Sequence, residues 1–438
     1  MSDSNEESLM ILQNMKKRKQ CDNQNQDRLS DLPDCVLLHI LSRLNTKQVV
    51  QTCILSKRWK FLWKRISTLI LHSSNFSNVS WKFVSKNFHT FVSKILTLRD
   101  TETALNALDL YCNGDIQIQL LEKILNYVCS YNTHLQELGI SVNGDSDLIM
   151  SRVSSCHALT SLKLSIYPRG GSSIPTLFPK SLNLPSLTSL NLSNFLFCGG
   201  ESRCIEPFSA FTKLNSLVIH SCKVNDAQIL SISSETLVNL AVEDPLEIIN
   251  LAIQNDSSNI AEIKLSTPNL YTFKFTGDLI QKICRSGLSS VKQVHIDNSL
   301  QDDASVEHGL VIFNWLLDFA NVESLIVTST TLQILSLVPD LLEVKLPSLR
   351  NLKSLEVELT PLDDDGHLFQ IIKDSMLKKA AAKSPKEYAE LIKAFEAHLE
   401  LPAIPDGIVD FLRQNSPLAQ LTITNNFPTS FFESDLVY

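Results

Sequence analysis

The chain of 438 residues contains no run of about 18 uncharged apolar residues, so nothing in it reads as a membrane-spanning helix. Its opening stretch, MSDSNEES, is polar and does not read as a secretory signal. Positive charge is not in excess either. There are 39 Lys and Arg against 47 Asp and Glu, and the net charge of −8 argues against a general binder of nucleic acid or of membrane surfaces. The ten cysteines form no CxxC pair. The nearest grouping, Cys198 and Cys204 in CGGESRC, lacks histidines at zinc spacing, so reduced and mostly buried thiols in a nuclear and/or cytoplasmic protein are the expectation. Catalytic signatures are missing as well: no G-x-S-x-G, P-loop, HExxH or paired-glycine nucleotide fingerprint occurs. Asp363, Asp364, Asp365 and His367 could in principle hold a cation, but a solvated acidic turn is the expected reading. No metal, no cofactor and no enzyme activity is expected.

What is present is ordinary globular material, 44% hydrophobic and 20% charged, in a length that suits two or three domains. The first 26 residues are polar and carry KKRK at Lys16–Lys19, which reads as a disordered tail. Then comes LSDLPDCVLLHILSRL. Pro33 suits a helix start, and Val36, Leu37, Ile40, Leu41 and Leu44 fall on one stripe about 140° wide at roughly 100° per residue. Two more helical patterns follow. Thr46 is a candidate cap for TKQVVQTCIL, and Ser56 for SKRWKFLWKR, where Trp59, Leu62 and Trp63 sit at i, i+3 and i+4. Three helices in about 40 residues are too small a unit to hide so wide a stripe alone, so a partner is expected to cover it.

The stretch from Asp27 to Ile66 closely resembles the F-box, especially the plant form with LP, LLxxILSxL and LSKRWxxLW. Cys35 departs from it, standing where that family often has an acidic residue. The resemblance implies docking on a Skp-type adaptor, and through it on a cullin and a RING subunit of a ubiquitin ligase. On that reading Leu32, Pro33, Val36, Leu37, Ile40, Leu41, Leu44, Val49, Leu55, Trp59, Leu62 and Trp63 are the adaptor-binding candidates. Lys57, Arg58, Lys60, Lys64 and Arg65, interleaved with tryptophans, mimic a nucleic-acid patch, but the aromatics keep helical core spacing.

Past this unit the line L-x-x-L-x-L recurs eleven times, beginning at Leu105, Leu135, Leu159, Leu187, Leu214, Leu237, Leu270, Val291, Val322, Leu352 and Leu418. The spacings are irregular, mostly about 21 to 33 residues, which suits leucine-rich repeats: a short strand, then a return segment, stacked coil on coil. IQLLEKILNYV reads as a return helix, and IAEIKL at Ile260 as part of a return segment. Asn113, Asn143, Cys222 and Asn426 are placed to bond backbone groups where the chain leaves a strand. SCHALTSLKL, PKSLNLPSLTSLNLSNF and KLNSLVIHSCKV also resemble plant F-box/leucine-rich-repeat proteins, and residues from Leu349 to Asn426 resemble the FBD region of many of them. There SPKEYAELIKAFEAHLE reads as a helix capped by Ser384, longer and more charged than that region's short form.

The fold expected is therefore α/β: a disordered tail over residues 1–26, a three-helix F-box over 27–68, irregular leucine-rich repeats over 69–348, and an FBD-like region over 349–438 that continues the solenoid. The function the resemblance implies is substrate recognition for an SCF-type (Skp–cullin–F-box) ligase. A binding scaffold with a non-degradative regulatory role is the alternative. In each line the second and third apolar residues point inward, and the residues before, between and after them face the concave side. The larger of these are the target-binding candidates: Asp109, Tyr111, Lys163, Asn191, Val218, His220, Lys274, His295, Asp297 and Ile326. Docking on the helical region after Leu362 is the competing expectation.

Overall fold

The computed structural model describes residues 31–76, 86–130, 134–171, 175–199, 203–244, 246–249, 259–277, 282–284, 288–298, 306–319, 321–360, 367–396 and 403–425. The expected tail over residues 1–26, the acidic turn at Asp363–Asp365 and the corner residue Asn426 lie outside these.

Twelve strands build the main sheet in strict chain order. They are Thr68–His72, Ala107–Asp115, Glu137–Asn143, Ser161–Tyr167, Ser189–Ser193, Ser216–His220, Asn239–Glu243, Thr272–Thr276, Gln293–Asp297, Ser324–Thr328, Ser354–Leu359 and Gln420–Asn425. Every neighbouring pair is parallel, and the register is set by the apolar phase: Leu162 pairs with Leu190, Leu190 with Leu217, Leu217 with Leu240 and Leu240 with Phe273. Alternate residues of the first eleven strands are buried, as in Ser216–His220, Asn239–Glu243 and Thr272–Thr276, because a pleated strand sends successive side chains to opposite faces, whereas the last strand, Gln420–Asn425, buries none. Eleven of the strands are the eleven L-x-x-L-x-L lines. The twelfth, Thr68–His72, comes from Ile66-x-x-Leu69-x-Leu71, which carries the same phase directly behind the tryptophan-rich segment. The boundary expected after residue 68 thus falls inside the first strand.

The return segments change along the chain. Near the start they are helices, Lys86–Leu98, Ile118–Ser130 and Ser146–Val153, and later Val306–Asp318 and Ser329–Leu335. Between these, the coils are closed by short strands that assemble two further ladders of five and four strands. Glu262–Ser266, from the IAEIKL stretch, lies in the four-strand ladder, beside Ile229–Ser233. At one corner of four successive central coils the backbone turns left-handed, at Asn194, Ser221, Asp244 and Gly277. There the N–H of each residue bonds the last strand residue of the next coil: Asn194 to His220 O, Ser221 to Glu243 O, Asp244 to Thr276 O and Gly277 to Asp297 O, at 2.7–3.1 Å. The backbone-bonding role expected of corner residues is filled by Asn194, whose Nδ2 donates to Ile166 O at 3.1 Å, and by the buried Cys222, whose Sγ donates to Leu192 O at 3.7 Å.

One apolar core runs without a break from Leu37 to Leu412, so the N-terminal helices are part of the same packed body as the repeats. Polar groups stitch that joint. Thr46 is not a cap; Asn45 is, accepting from Gln48 N at 2.9 Å. Buried Thr46 instead accepts Ile70 N of the first strand at 2.9 Å. Buried Arg99 donates to Ile66 O at 2.8 Å, Ala104 O at 3.0 Å and the Tyr127 hydroxyl at 2.9 Å. At the far end, the last two strands extend the sheet, and helices His367–Lys383, Pro385–Glu396 and Ile408–Asn415 are inserted between them. Ser384 caps the second of these through Glu387 N at 3.1 Å.

Candidate functional site

The N-terminal unit has two α-helices, Asp34–Leu41 and Thr46–Gln51, followed by 3-10 segments Thr52–Ile54 and Trp59–Arg65. The third helix expected from SKRWKFLWKR is thus a 3-10 segment, and Ser56 does not cap it. The apolar stripe of the first helix divides in two. Leu37 and Leu41 are fully buried against the chain's own core, together with Val49, Trp59, Leu62 and Trp63. These six adaptor-binding candidates are core residues of this chain, with little surface of their own exposed. Leu32 is half-buried and Pro33 exposed.

The other half of the stripe faces solvent. Val36, Ile40 and Leu44 are exposed at successive i, i+4 positions, and in the segments that follow Ile54, Leu55 and Phe61 are exposed too, with Leu55 61% and Ile54 84% exposed. Ile54 and Phe61 escaped the sequence reading. Their signal was available: both are large apolar residues out of phase with the buried Trp59, Leu62 and Trp63. Basic residues hold the unit together. Arg58 pairs with Asp34 at 2.8 Å and also donates to Leu32 O, tying the SKRW segment to the start of the first helix.

The second candidate site is the open face of the main sheet. All ten concave-face candidates project there, each half-buried or exposed. They line up in two rows. One row passes Asp109, Gly139, Lys163, Asn191, Val218, Ala241, Lys274, His295, Ile326 and Glu356 in register. The other includes His72, Tyr111, His220, Glu243, Thr276, Asp297 and Glu358. At the first two strands His72 Nε2 meets Asp109 Oδ2 at 2.9 Å, with the Tyr111 ring edge-on to His72 at 5.7 Å. In the middle, His220 Nδ1 lies 3.3 Å from Glu243 Oε2. Further along, His295 Nε2 lies 3.7 Å from Glu358 Oε2, too far for a hydrogen bond, and has no hydrogen-bond partner. Burial pushes the His295 imidazole below its ordinary value despite the nearby Glu358, and burial pushes the Asp297 carboxyl up. His72, Glu243, Glu356 and Glu358 were missed by sequence reading, although the same phase rule reaches them.

No group of three metal-ligating side chains occurs among the described residues. Cys198 and Cys204 line a cavity of about 280 Å³ with Phe178, Lys180 and Glu206 on the return side, remote in the fold from both surfaces. No helix among the described residues is long and apolar enough to cross a membrane.

Residues 29–71 match the F-box domain family. The chain is 26% identical over 346 residues to F-box/LRR-repeat protein 13 of Arabidopsis thaliana, covering 76% of this chain and 71% of that protein. It is 26% identical over 346 residues to a second Arabidopsis F-box/LRR-repeat protein, covering 76% of this chain and 85% of the other. A putative FBD-associated F-box protein from the same plant is 29% identical over 300 residues, covering 62% of this chain and 68% of that protein. The molecule thus has an N-terminal F-box, a module that generally binds Skp-type adaptors, followed by a leucine-rich-repeat solenoid.

Proposed function

We propose that this chain is the substrate-receiving subunit of a Skp–cullin–F-box ubiquitin ligase. The Skp-type adaptor seats on the exposed ridge, and a target protein docks on the open face of the repeats. The bond-making chemistry belongs to the RING subunit and its conjugating enzyme, while this chain supplies proximity and orientation. The carrying observation is that the F-box match coincides with six solvent-facing apolar side chains within 26 residues, Val36 to Phe61. Full burial of such a side chain yields about 1.5–3 kcal/mol. Association costs about 4–15 kcal/mol in rigid-body freedom, so a stable complex uses nearly the whole ridge. The free thiols suit the reducing nucleus or cytoplasm.

Reconstitution tests the reading. With ubiquitin, activating enzyme and conjugating enzyme alone, the purified chain is expected to form no conjugates. Conjugation of a target is expected only once adaptor, cullin and RING subunit are added. Conjugates made by the isolated chain, or failure to pull down a Skp-type adaptor, overturn it. A target that binds but does not accumulate when the proteasome is blocked favours the non-degradative scaffold instead.

A further inference from the structure

Two thiols meet on adjacent coils. Cys129 lies in the last turn of helix Ile118–Ser130, and Cys156 follows helix Ser146–Val153 of the next coil. Their sulfurs are 3.5 Å apart. Nothing in the sequence pairs them, since they lie 27 positions apart and belong to no motif. Both sulfurs converge on one carbonyl, Arg152 O, at 3.4 Å from Cys129 Sγ and 3.6 Å from Cys156 Sγ. Both residues are partly exposed, whereas Cys112 and Cys222 are buried and burial pushes their thiols up to about 12. A disulfide needs sulfurs about 2.05 Å apart, so roughly 1.5 Å of approach closes this one.

We propose that Cys129 and Cys156 are a peroxide-oxidisable dithiol, a modification site that closes to a disulfide between the second and third coils of the solenoid. Cys129 is the attacking sulfur. The hydrogen bond from Cys156, then that from Ser155 and the charge of Arg152, bring its thiol down to about 7 against the effect of burial. Cys156, which donates that bond and is partly buried, is pushed well up. The Cys129 thiolate attacks the terminal oxygen of a hydroperoxide, the O–O bond breaks, and the remaining alkoxide or hydroxide leaves and takes up a proton. Cys129 becomes a sulfenic acid. The Cys156 sulfur then attacks that sulfur, its proton joins the departing hydroxyl as water, and the S–S bond forms. Two electrons pass from the thiol pair to the peroxide.

The test treats the full-length protein with near-stoichiometric hydrogen peroxide, alkylates the remaining thiols and maps peptides without reductant. The expected main cross-link joins the Cys129 and Cys156 peptides, is reversed by dithiothreitol, and forms while exposed Cys35 remains alkylatable. In Cys156→Ser, Cys129 is expected to accumulate as a sulfenic acid trapped by dimedone. Competitive alkylation of the unmodified protein at neutral pH needs no variant, and Cys129 is expected to label several-fold faster than Cys35. Equal labelling rates, or free Cys129 and Cys156 after Cys35 has been oxidised, overturn the proposal.

Discussion

The two surfaces this chain leaves open are made of opposite materials. On the F-box, Val36, Ile40, Leu44, Ile54, Leu55 and Phe61 form an apolar ridge. On the repeats, twelve strands present mostly Ser, Thr, His, Lys, Asp and Glu, with Ile70, Val218 and Ile326 as the larger apolar side chains of their row. Apolar contact is non-directional and scales with area, so the ridge suits adhesion to one partner. Charged and polar groups discriminate between partners more than they add affinity, which suits the target-selecting role proposed for this face. Proximity to the F-box does not set this difference, because both surfaces rest on one continuous core. What differs is which residues the periodic pattern leaves outside.

The largest effects should come from the ridge. Ile40→Asp with Ile54→Asp is expected to weaken binding of a Skp-type adaptor by roughly 100-fold or more, at about 1.4 kcal/mol per factor of ten. The melting temperature should stay within about 2 °C, because neither side chain is in the core and surface changes are usually small. Leu37→Asp is the contrast. It puts a charge at a fully buried position, which costs several kcal/mol, and the F-box should unfold, read as loss of soluble protein or of near-UV circular dichroism. If Leu37→Asp leaves the fold intact and removes only adaptor binding, the division of the stripe into core and ridge is wrong.

On the other surface, Val218→Arg with Ile326→Arg should release a bound target by about tenfold or more while adaptor binding stays unchanged. The two sit in one row of the open face, separated by Ala241, Lys274 and His295. Retention of target by this variant, with loss on deleting residues after 362, would instead place docking on the C-terminal helices. A gentler probe of the same face is Gly277→Ala. Gly277 has φ of +121°, and an added Cβ would come within 2.9 Å of Asp244 Cα. Strain of this kind costs about 1–3 kcal/mol, so a melting temperature lower by a few degrees is expected, with target binding hurt more than adaptor binding.

How much of this the sequence revealed depends on which physics each residue obeys. The strand period was legible because Leu162, Leu164 and their counterparts must be buried whatever the return segment does. Thr68–His72 was overlooked because Ile66 serves both the tryptophan-rich unit and the first repeat, and helical spacing masked its strand phase. The ridge was half legible. Wide apolar coverage of the first helix showed that it needed a partner, but not that Leu37 and Leu41 face the chain itself while Val36 and Ile40 face outward. The join made by Arg99 with Ile66 O and Ala104 O had no local signal, since it depends on the coil turning back. Helix His367–Lys383 was also missed, because its lysines and apolar residues are mixed around the axis. The meeting of Cys129 with Cys156 depends on coil stacking, which no spacing rule reports.

The smallest effect concerns charge on the open face. Burial lowers the His295 pKa, although Glu358, Asp297 and Glu356 oppose that shift and Lys274 adds to it. A histidine with a depressed folded-state pKa takes up its proton more readily when unfolded. Its neutral form therefore favours the folded state above the unfolded value of about 6.5, and that contribution is lost as pH falls from there toward the folded value. Asp297 acts in the opposite sense at lower pH: its raised carboxyl binds a proton more readily in the folded protein than in the unfolded one. Between pH 7.5 and 5.5 the histidine dominates, so the wild-type protein should lose more thermal stability than His295→Gln over that interval. The difference should be under about 1 kcal/mol, because the site is only partly buried and solvent screens it. Thermal denaturation of both proteins at several pH values measures it, and parallel curves would show that His295 is solvated as in the unfolded chain. The same curves for Ile40→Asp with Ile54→Asp should run parallel to wild type between pH 7.5 and 5.5, since that ridge holds no buried ionisable group. A pH response confined to the open face is what the contrast between the two surfaces requires.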